Sequence, residues 1–104
     1  MAIRKVDWTA NALAMVFDIF EYLEMKQGDS FASDYIDSLL EFGNSLDKKS
    51  EHHAYCRHQI LQKKEYRCAQ FRKTYLIIYK IINEAVVILG VIHVSRNPKV
   101  FDDL

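Results

Sequence analysis

Apolar residues in the first half of the chain recur at intervals of three and four, the spacing of a helix with one buried face. Thr9 can cap the start of a first helix, Gly28 can end it, and Asp29 or Ser30 can cap a second. The pattern therefore predicts two amphipathic helices that pair as an antiparallel hairpin. Their predicted apolar stripes are Leu13, Val16, Phe17, Phe20 and Leu23 in the first helix, and Phe31, Tyr35, Ile36, Leu39, Leu40 and Leu46 in the second.

The second half of the chain contains three segments with the residue pattern of β-strands, residues 66–71, 74–82 and 85–94. The links Arg72-Lys73 and Asn83-Glu84 are short enough for hairpin turns, so the three strands are predicted to form an antiparallel meander. Residues 3–8 form a weaker strand pattern that can join the edge of the sheet. The predicted fold is α+β with the order β-α-α-β-β-β, in one domain that spans residues 1–104.

The predicted strand 86–94 is apolar on both faces, which normally means that both faces are covered. The helix hairpin can cover only one of them. We expect the other face to be covered by the segment 47–64, the C-terminal tail, a second copy or another protein, and we favour a partner. Segment 47–64 has no clear period and is predicted to be a loop, with or without one short polar helix.

The composition argues against a disordered chain and against a membrane-spanning one. Half of the residues are hydrophobic, which indicates a compact fold, and no apolar run reaches the length of a membrane span. The N-terminus has no apolar leader region. Two cysteines, Cys56 and Cys68, are too few for a disulfide framework, so we expect a reducing compartment and a cytoplasmic location.

The net charge of zero hides a segregation of charge along the chain. Residues 1–47 carry a net charge of −6, and residues 48–80 carry +7. This local excess indicates a polyanion or an acidic protein as partner. The alternative is that the two halves neutralise each other within the domain.

Four potential metal ligands lie within seven residues, but a structural zinc site normally needs a second pair. Cys68 is remote in sequence, so we expect a solvated polar segment, without a metal or other cofactor. A Cys/His hydrolase built on Cys56 is conceivable from residue type alone, and the spacing does not support it. The four candidate ligands are His52, His53, Cys56 and His58.

Basic residues occur on three neighbouring strands of the predicted sheet. The 72–73 turn and the end of the last strand should lie at the same end of the sheet, because adjacent strands are antiparallel. Such a cluster can neutralise phosphates or a developing charge. Alternatively, Arg67 pairs with an acidic helix residue and His93 is a hydrogen-bonded boundary residue. The predicted cluster comprises Arg67, Arg72, Lys73, His93 and Arg96.

The sequence resembles the RelE/ParE family of bacterial toxins. The resemblance rests on "DWTANAL" (7–13), the helix hairpin and residues 66–98, within which "YLIIYKI" (75–81) and "VVILGVIH" (86–93) followed by "SRNP" are the most specific. It implies a helix hairpin packed on an antiparallel sheet. It also implies the toxin of a two-gene type II toxin–antitoxin module of the plasmid-stabilisation kind, neutralised by a cognate antitoxin whose tail wraps the toxin.

The family divides by target, and the sequence departs from one of its branches. The mRNA-cutting branch often has a basic residue near the position of Leu76 and a Tyr or His near the C-terminus, whereas this chain ends "RNPKVFDDL". A pI near 6.9 is also unusual for a protein that works inside the ribosome. The resemblance therefore favours a ParE-like inhibitor of DNA gyrase without catalytic residues.

Two alternatives remain open, and each assigns the candidate residues differently. The first is a ribosome-dependent mRNA endoribonuclease in which Arg67, His93 and Arg96, with Lys73, bind phosphate and stabilise charge. The second is an inactive remnant that only binds its antitoxin. A homodimer is a further possibility in the absence of antitoxin. The predicted target- or antitoxin-binding residues are Arg67, Arg72, Lys73, Tyr75, Tyr79, His93 and Arg96.

Overall fold

The computed structural model describes residues 3–95 and contains one four-stranded sheet with the order β1-β4-β3-β2. The three C-terminal strands form the predicted antiparallel meander, and β1 joins it at the edge, parallel to β4. The α+β architecture and the order of its main elements are therefore confirmed. The strands are β1 (Lys5–Trp8), β2 (Arg67–Phe71), β3 (Tyr75–Ile82) and β4 (Ala85–His93).

Two long helices form the predicted hairpin on one face of the sheet, and their caps agree with the sequence pattern. The Thr9 hydroxyl accepts a hydrogen bond of 3.1 Å from the backbone N–H of Ala12. Gly28 has a φ of +89° and donates its N–H to the Glu24 carbonyl, which ends the first helix. The helices are α1 (Ala10–Gln27), α2 (Asp29–Asn44), α3 (Leu46–Lys49) and α4 (Gln59–Lys63).

Both predicted links in the meander are tight turns. Arg72 and Lys73 both have positive φ, and Thr74 donates its N–H to the Phe71 carbonyl at 3.0 Å, which closes the first turn. Asn83 also has positive φ, at 55°, in the second turn. The register of β3 against β4 shifts between Ile78 and Tyr79, so Leu89, next to Gly90, is an extra residue on β4.

The main core lies between the helix hairpin and the sheet. The predicted α1 stripe is displaced from the observed one, because Leu13 and Phe17 are 48% and 60% exposed while Ala12 and Ile19 face the core. In α2 the buried positions begin at Ala32 rather than at Phe31. The larger buried side chains of this core are Val16, Ile19, Leu23, Ile36, Leu39, Leu46, Phe71, Tyr75, Ile77, Tyr79, Val86, Ile88 and Val91.

Gly43 allows α2 to approach the first strand closely. A β-carbon at this position would lie 2.6 Å from Cη2 of Trp8, closer than side-chain atoms pack. The Trp8 indole N–H donates a hydrogen bond of 2.9 Å to the Asn44 side-chain oxygen. The glycine thus permits the indole of β1 to pack directly on the α2 backbone.

A second, smaller cluster covers part of the opposite face of the sheet. Cys56 and Leu61 pack on Ile78 and Ile92, and all four side chains are buried. The segment 47–64, one of the four covers considered from the sequence, therefore covers this part of the face. The preference for a partner was wrong for this area, because Leu61 on the short helix α4 fills it.

Cys56 and Cys68 form a disulfide, a pairing that was not expected from the assumption of a reducing compartment. Residues 54–56 run beside β2, since Cys56 donates its N–H to the Tyr66 carbonyl and Cys68 donates to that of Ala54. This pairing brings the two Cα atoms to 4.9 Å, although the residues are 12 apart in sequence. Within the described residues, the helices all fall short of the length and apolarity that a membrane crossing requires.

Candidate functional site

A groove of about 700 Å³ runs between α1, the start of α2 and the ends of β3 and β4. Its walls are apolar and aromatic, and its rim carries polar groups. The wall residues include Ile19, Tyr22, Phe31, Tyr35, Tyr75 and Val91. Asp18, Thr74, His93 and Ser95 contribute the polar groups. A concave surface with this composition is suited to binding a ligand or a protein segment.

The groove exists because β1 is shorter than β4. The two strands pair only from Ala85 to Ile88 on β4, so the outer edge of β4 beyond that point faces α1. Asn11 donates a 3.3 Å hydrogen bond from Nδ2 to the Leu89 carbonyl, and Val91 donates its N–H to the Met15 sulfur at 3.4 Å. Side chains of α1 therefore replace a neighbouring strand along this edge.

Aromatic rings pack closely at the end of the groove formed by α2 and β3. Tyr35 lies 5.9 Å from Phe31, 5.5 Å from Phe71 and 6.1 Å from Tyr75, measured between ring centroids. Burial raises the pKa of Tyr75, and the neighbouring Tyr35 hydroxyl adds to this effect. The Tyr75 phenol therefore keeps its proton to higher pH than an ordinary tyrosine does.

His93 lies at the rim of the groove beside the 72–74 turn. Its ring is 5.4 Å from the Tyr75 ring in an edge-to-face arrangement, and its Nδ1 accepts from the Ser95 backbone N–H at 3.1 Å. Val94 donates its N–H to the Thr74 carbonyl at 2.9 Å, which joins the end of β4 to the turn. In that turn Lys73 is exposed.

The Arg72 side chain extends from the same turn toward the helices. Its guanidinium carbon lies 4.9 Å from the Phe71 ring centroid and 5.1 Å from that of Tyr35. The cation therefore stacks on aromatic rings on the helix side of the sheet. Arg96, the remaining basic residue predicted for this end, lies outside the described residues.

Arg67 lies at the other end of the meander and is not part of the His93 cluster. It pairs with Tyr79 across β2 and β3, whereas His93 pairs with Tyr75 on β3. Four residues of an extended strand span about 13 Å, which separates the two positions along the sheet. The arrangement divides the predicted basic cluster into two parts.

The Arg67 guanidinium is held by the segment that precedes α4. It donates a 2.7 Å hydrogen bond from Nη1 to the His53 carbonyl, and its central carbon lies 4.4 Å from the Tyr55 ring centroid. The alternative of an acidic helix partner is thus wrong, because a carbonyl and an aromatic ring take that place. Arg67 fastens the segment to the sheet.

Tyr79 belongs to the core in this structure. Its side chain is completely buried, and its hydroxyl donates a 2.5 Å hydrogen bond to the Ser50 carbonyl. Burial raises the pKa of Tyr79 to about 12, against an opposing effect of the nearby Arg67 charge. Among the residues predicted to bind a partner, Tyr79 therefore offers no exposed surface.

The His- and Cys-rich segment does not assemble a metal-binding group. Among residues 3–95 no three His, Cys, Asp or Glu side chains converge as a metal site would require. Cys56 is bonded to Cys68, and His58 stands at the start of α4. The His53 ring packs against Phe42, and burial lowers its pKa, with smaller contributions from His52 and Lys49.

Several groove residues carried no functional prediction from sequence, among them Met15, Ile19 and Tyr22. Tyr22 is 53% exposed on the flank of α1 that faces the groove. An aromatic residue outside the predicted helical stripe was the available signal. Tyr22 lies in a groove only because β1 ends partway along β4, and the periodicity of the sequence does not show where β1 ends.

Two solved structures share this fold. The chromosomal ParDE toxin–antitoxin system from P. aeruginosa matches with a TM-score of 0.77 at 16% identity, over 89% of this chain and 98% of that one. The toxin–antitoxin complex RelBE2 from Mycobacterium tuberculosis matches with a TM-score of 0.65 at 19% identity, over 88% and 99% of the two chains. The fold is that of RelE/ParE-type toxins.

The family model described as the ParE toxin of the type II toxin–antitoxin system, parDE, matches residues 6–98. The chain therefore belongs to the ParE toxin family of type II toxin–antitoxin systems. No curated protein matches the sequence.

Proposed function

We propose that this protein is a toxin that inhibits DNA gyrase by binding to it, without a nuclease site of its own. The observation that carries the proposal is the division of the basic residues. Arg67 and His93 lie about 13 Å apart along the sheet. Groups that assist cleavage of one phosphodiester must lie within about 3 Å of the reacting atoms. The Arg67 guanidinium is held at its own end of the sheet by the His53 carbonyl and the Tyr55 ring, so it is not placed to share one phosphate with His93.

A purified gyrase assay tests this proposal. The protein is expected to inhibit DNA supercoiling and to accumulate cleaved gyrase–DNA complexes, whereas mRNA on translating ribosomes stays intact. Mapped cleavage of ribosome-bound mRNA that is lost in His93→Ala, with gyrase unaffected, would contradict the proposal. Gyrase and ribosomes are both cytoplasmic in bacteria, so either outcome is consistent with a cytoplasmic toxin.

The groove is the proposed docking site for a cognate antitoxin. Its aromatic walls suit the apolar side chains of a partner segment, and the exposed Lys73, next to Thr74 on the rim, suits an acidic one. Both solved relatives belong to toxin–antitoxin systems. A small acidic protein encoded beside this gene is therefore the expected partner.

Two exposed aromatic residues on α1 provide a matched test of the groove. Tyr22 lines the groove and Phe17 lies outside it, and the two side chains are 53% and 60% exposed. Tyr22→Ala is expected to weaken antitoxin binding by about 30-fold in calorimetry, the scale of an interface hot spot. Phe17→Ala is expected to leave affinity within about twofold of wild type. Equal losses in the two variants would place the antitoxin elsewhere.

A ribosome-dependent endoribonuclease is the second candidate function. The observation in its favour is the exposed His93 on the groove rim, next to Ser95 and the Lys73 turn. In this alternative Lys73, His93 and Arg96 act at the groove end, and Arg67 supports the fold. Alanine at Lys73 or His93 then abolishes toxicity and preserves antitoxin binding. Induced expression without any growth defect would instead indicate an inactive remnant that binds antitoxin.

A further inference from the structure

Residues 54–64, which we call the cover segment, are attached to the sheet through β2 and a small cluster. Residues 54–56 run beside β2 through the hydrogen bonds of Cys56 and Cys68, and Tyr55 forms a bridge with Arg67. Leu61 on α4 is the main apolar side chain that the segment contributes. A helix of five residues does not hold its shape by itself, so its position depends on these attachments.

The disulfide lies at the centre of these attachments. Cys56 is 1% exposed and Cys68 is half-buried, and both contact the cluster formed by Leu61, Ile78 and Ile92. Side chains alternate between faces along a strand, so Cys68 points to the covered face while Arg67 points to the helix face. One covalent bond therefore holds the segment that covers one face and binds the arginine on the other.

We propose that the Cys56–Cys68 pair is a reversible redox clasp that controls the position of the cover segment and the accessibility of Arg67. The thiolate of a dithiol reductant attacks the sulfur of Cys68, the less buried of the two cysteines, and Cys56 leaves as a thiolate that takes up a proton. The second thiol of the reductant then attacks the mixed disulfide and releases Cys68. The protein gains two electrons and two protons, and the reductant becomes a disulfide.

Opening of the clasp changes two surfaces together. The cover segment loses its covalent link to β2, so Ile78 and Ile92 become accessible through local unfolding of α4. The Arg67 guanidinium loses as fixed partners the Tyr55 ring of the cover segment and the carbonyl of His53, which directly precedes that segment. This inference does not depend on the toxin's target. Disulfides in a reducing cytoplasm are commonly transient and redox-sensing, which is the behaviour that a reversible clasp requires.

Limited digestion with trypsin tests the clasp, because the cover segment contains cleavage sites between the two cysteines. Arg57, Lys63 and Lys64 lie within it, and Lys26 in the last turn of α1 serves as the internal control. Cleavage is quantified by mass spectrometry after full reduction and alkylation. Dithiothreitol is expected to raise the rate at the three sites by roughly tenfold or more and to leave Lys26 unchanged.

The variant Cys56→Ser/Cys68→Ser is expected to be cleaved at the fast rate with or without dithiothreitol. Circular dichroism checks that it folds, and if it does not, the wild-type comparison with and without reductant still decides. Titration of thiols in denatured, air-oxidised wild type is expected to find none. Two titratable thiols, or equal cleavage rates in oxidised and reduced wild type, would overturn the clasp.

Discussion

The two faces of the sheet are stabilised in different ways. On the helix face, 16 buried residues of the described chain, from the helices α1, α2 and α3 and the strands β2, β3 and β4, form one continuous core. On the opposite face the corresponding cluster has four buried residues, two of them from the cover segment. The first face is stable through the area it buries, whereas the second depends on a covalent bond to hold a short segment in place.

The lengths of the covering elements explain the difference. The helix face is covered by helices of 18 and 16 residues, which present several turns of apolar side chains. The cover segment has one helix of five residues, far below the length at which an isolated helix is stable in water. Strand β4, which is apolar on both faces, is thus covered by the helix hairpin on one face and by a segment that can open on the other.

Alanine substitutions of two buried leucines, one on each face, test this difference in stability directly. Leu39→Ala on the helix face is expected to lower the free energy of unfolding by about 3–4 kcal/mol, through lost burial and a cavity. Leu61→Ala on the cover segment is expected to cost about 1–2 kcal/mol in the oxidised protein, because the segment relaxes into the space. Urea unfolding of both variants measures these costs. Equal costs would show that the two faces belong to one cooperative core.

The contact of Trp8 with α2 tests how closely the helix face is packed. Gly43→Ala is expected to destabilise by about 2 kcal/mol, because the new methyl group would overlap the indole ring of Trp8. The matched control is Asn44→Ala, which removes only the hydrogen bond to the indole and is expected to cost about 1 kcal/mol. Tryptophan fluorescence during denaturation follows both variants. A neutral Gly43→Ala would mean that Trp8 can move aside.

Tyr79 is buried in the helix-face core and donates a hydrogen bond to the carbonyl of Ser50, directly after α3. Tyr79→Phe is expected to cost about 1 kcal/mol at pH 7. The pKa of Tyr79 is raised above the ordinary 10.0 to about 12. The unfolded chain therefore loses its proton first, and wild-type stability falls as pH rises from 10 toward 12. Tyr79→Phe is expected to lose less over this range in pH-dependent unfolding, and parallel losses would contradict the raised pKa.

The smallest expected effect is the titration of His53 on the segment that precedes Cys56. Its lowered pKa means that the unfolded chain binds a proton more readily than the folded protein does. Stability should therefore decrease as pH falls through 6.5, then level off below the folded pKa. His53→Gln is expected to reduce this decrease in thermal unfolding between pH 8 and pH 5. The exposed His93→Gln, whose side chain is not among the groups that lower the His53 pKa, is the control, and an identical change in both would reject the assignment.

The sequence predicted the elements well but placed some side chains on the wrong surface. Thr9 and Gly28 marked the ends of α1 correctly, because capping and positive φ are local properties. Leu13 and Phe17 were assigned to the core, although both are exposed. Apolar residues on α1 form a band wider than its buried face, and the contact with α2 and the sheet selects which part is covered.

The sequence also predicted only part of the candidate site. The strand pattern placed Tyr75 near the 72–73 turn and His93 at the end of β4, and these positions meet at the groove. It also grouped Arg67 with them and assigned Tyr79 to a binding surface. Register and burial separate these residues, and neither follows from the composition of one strand.

Periodicity, caps and turn residues by themselves determined the helix hairpin, the meander and the family resemblance, because they depend on backbone preferences within a few neighbouring residues. The parallel pairing of β1 with β4, the groove beyond it, the disulfide and the position of Arg67 were decided only by the tertiary structure. Each of these features joins residues that are distant in sequence. Such contacts form only when the whole chain balances burial against conformational entropy.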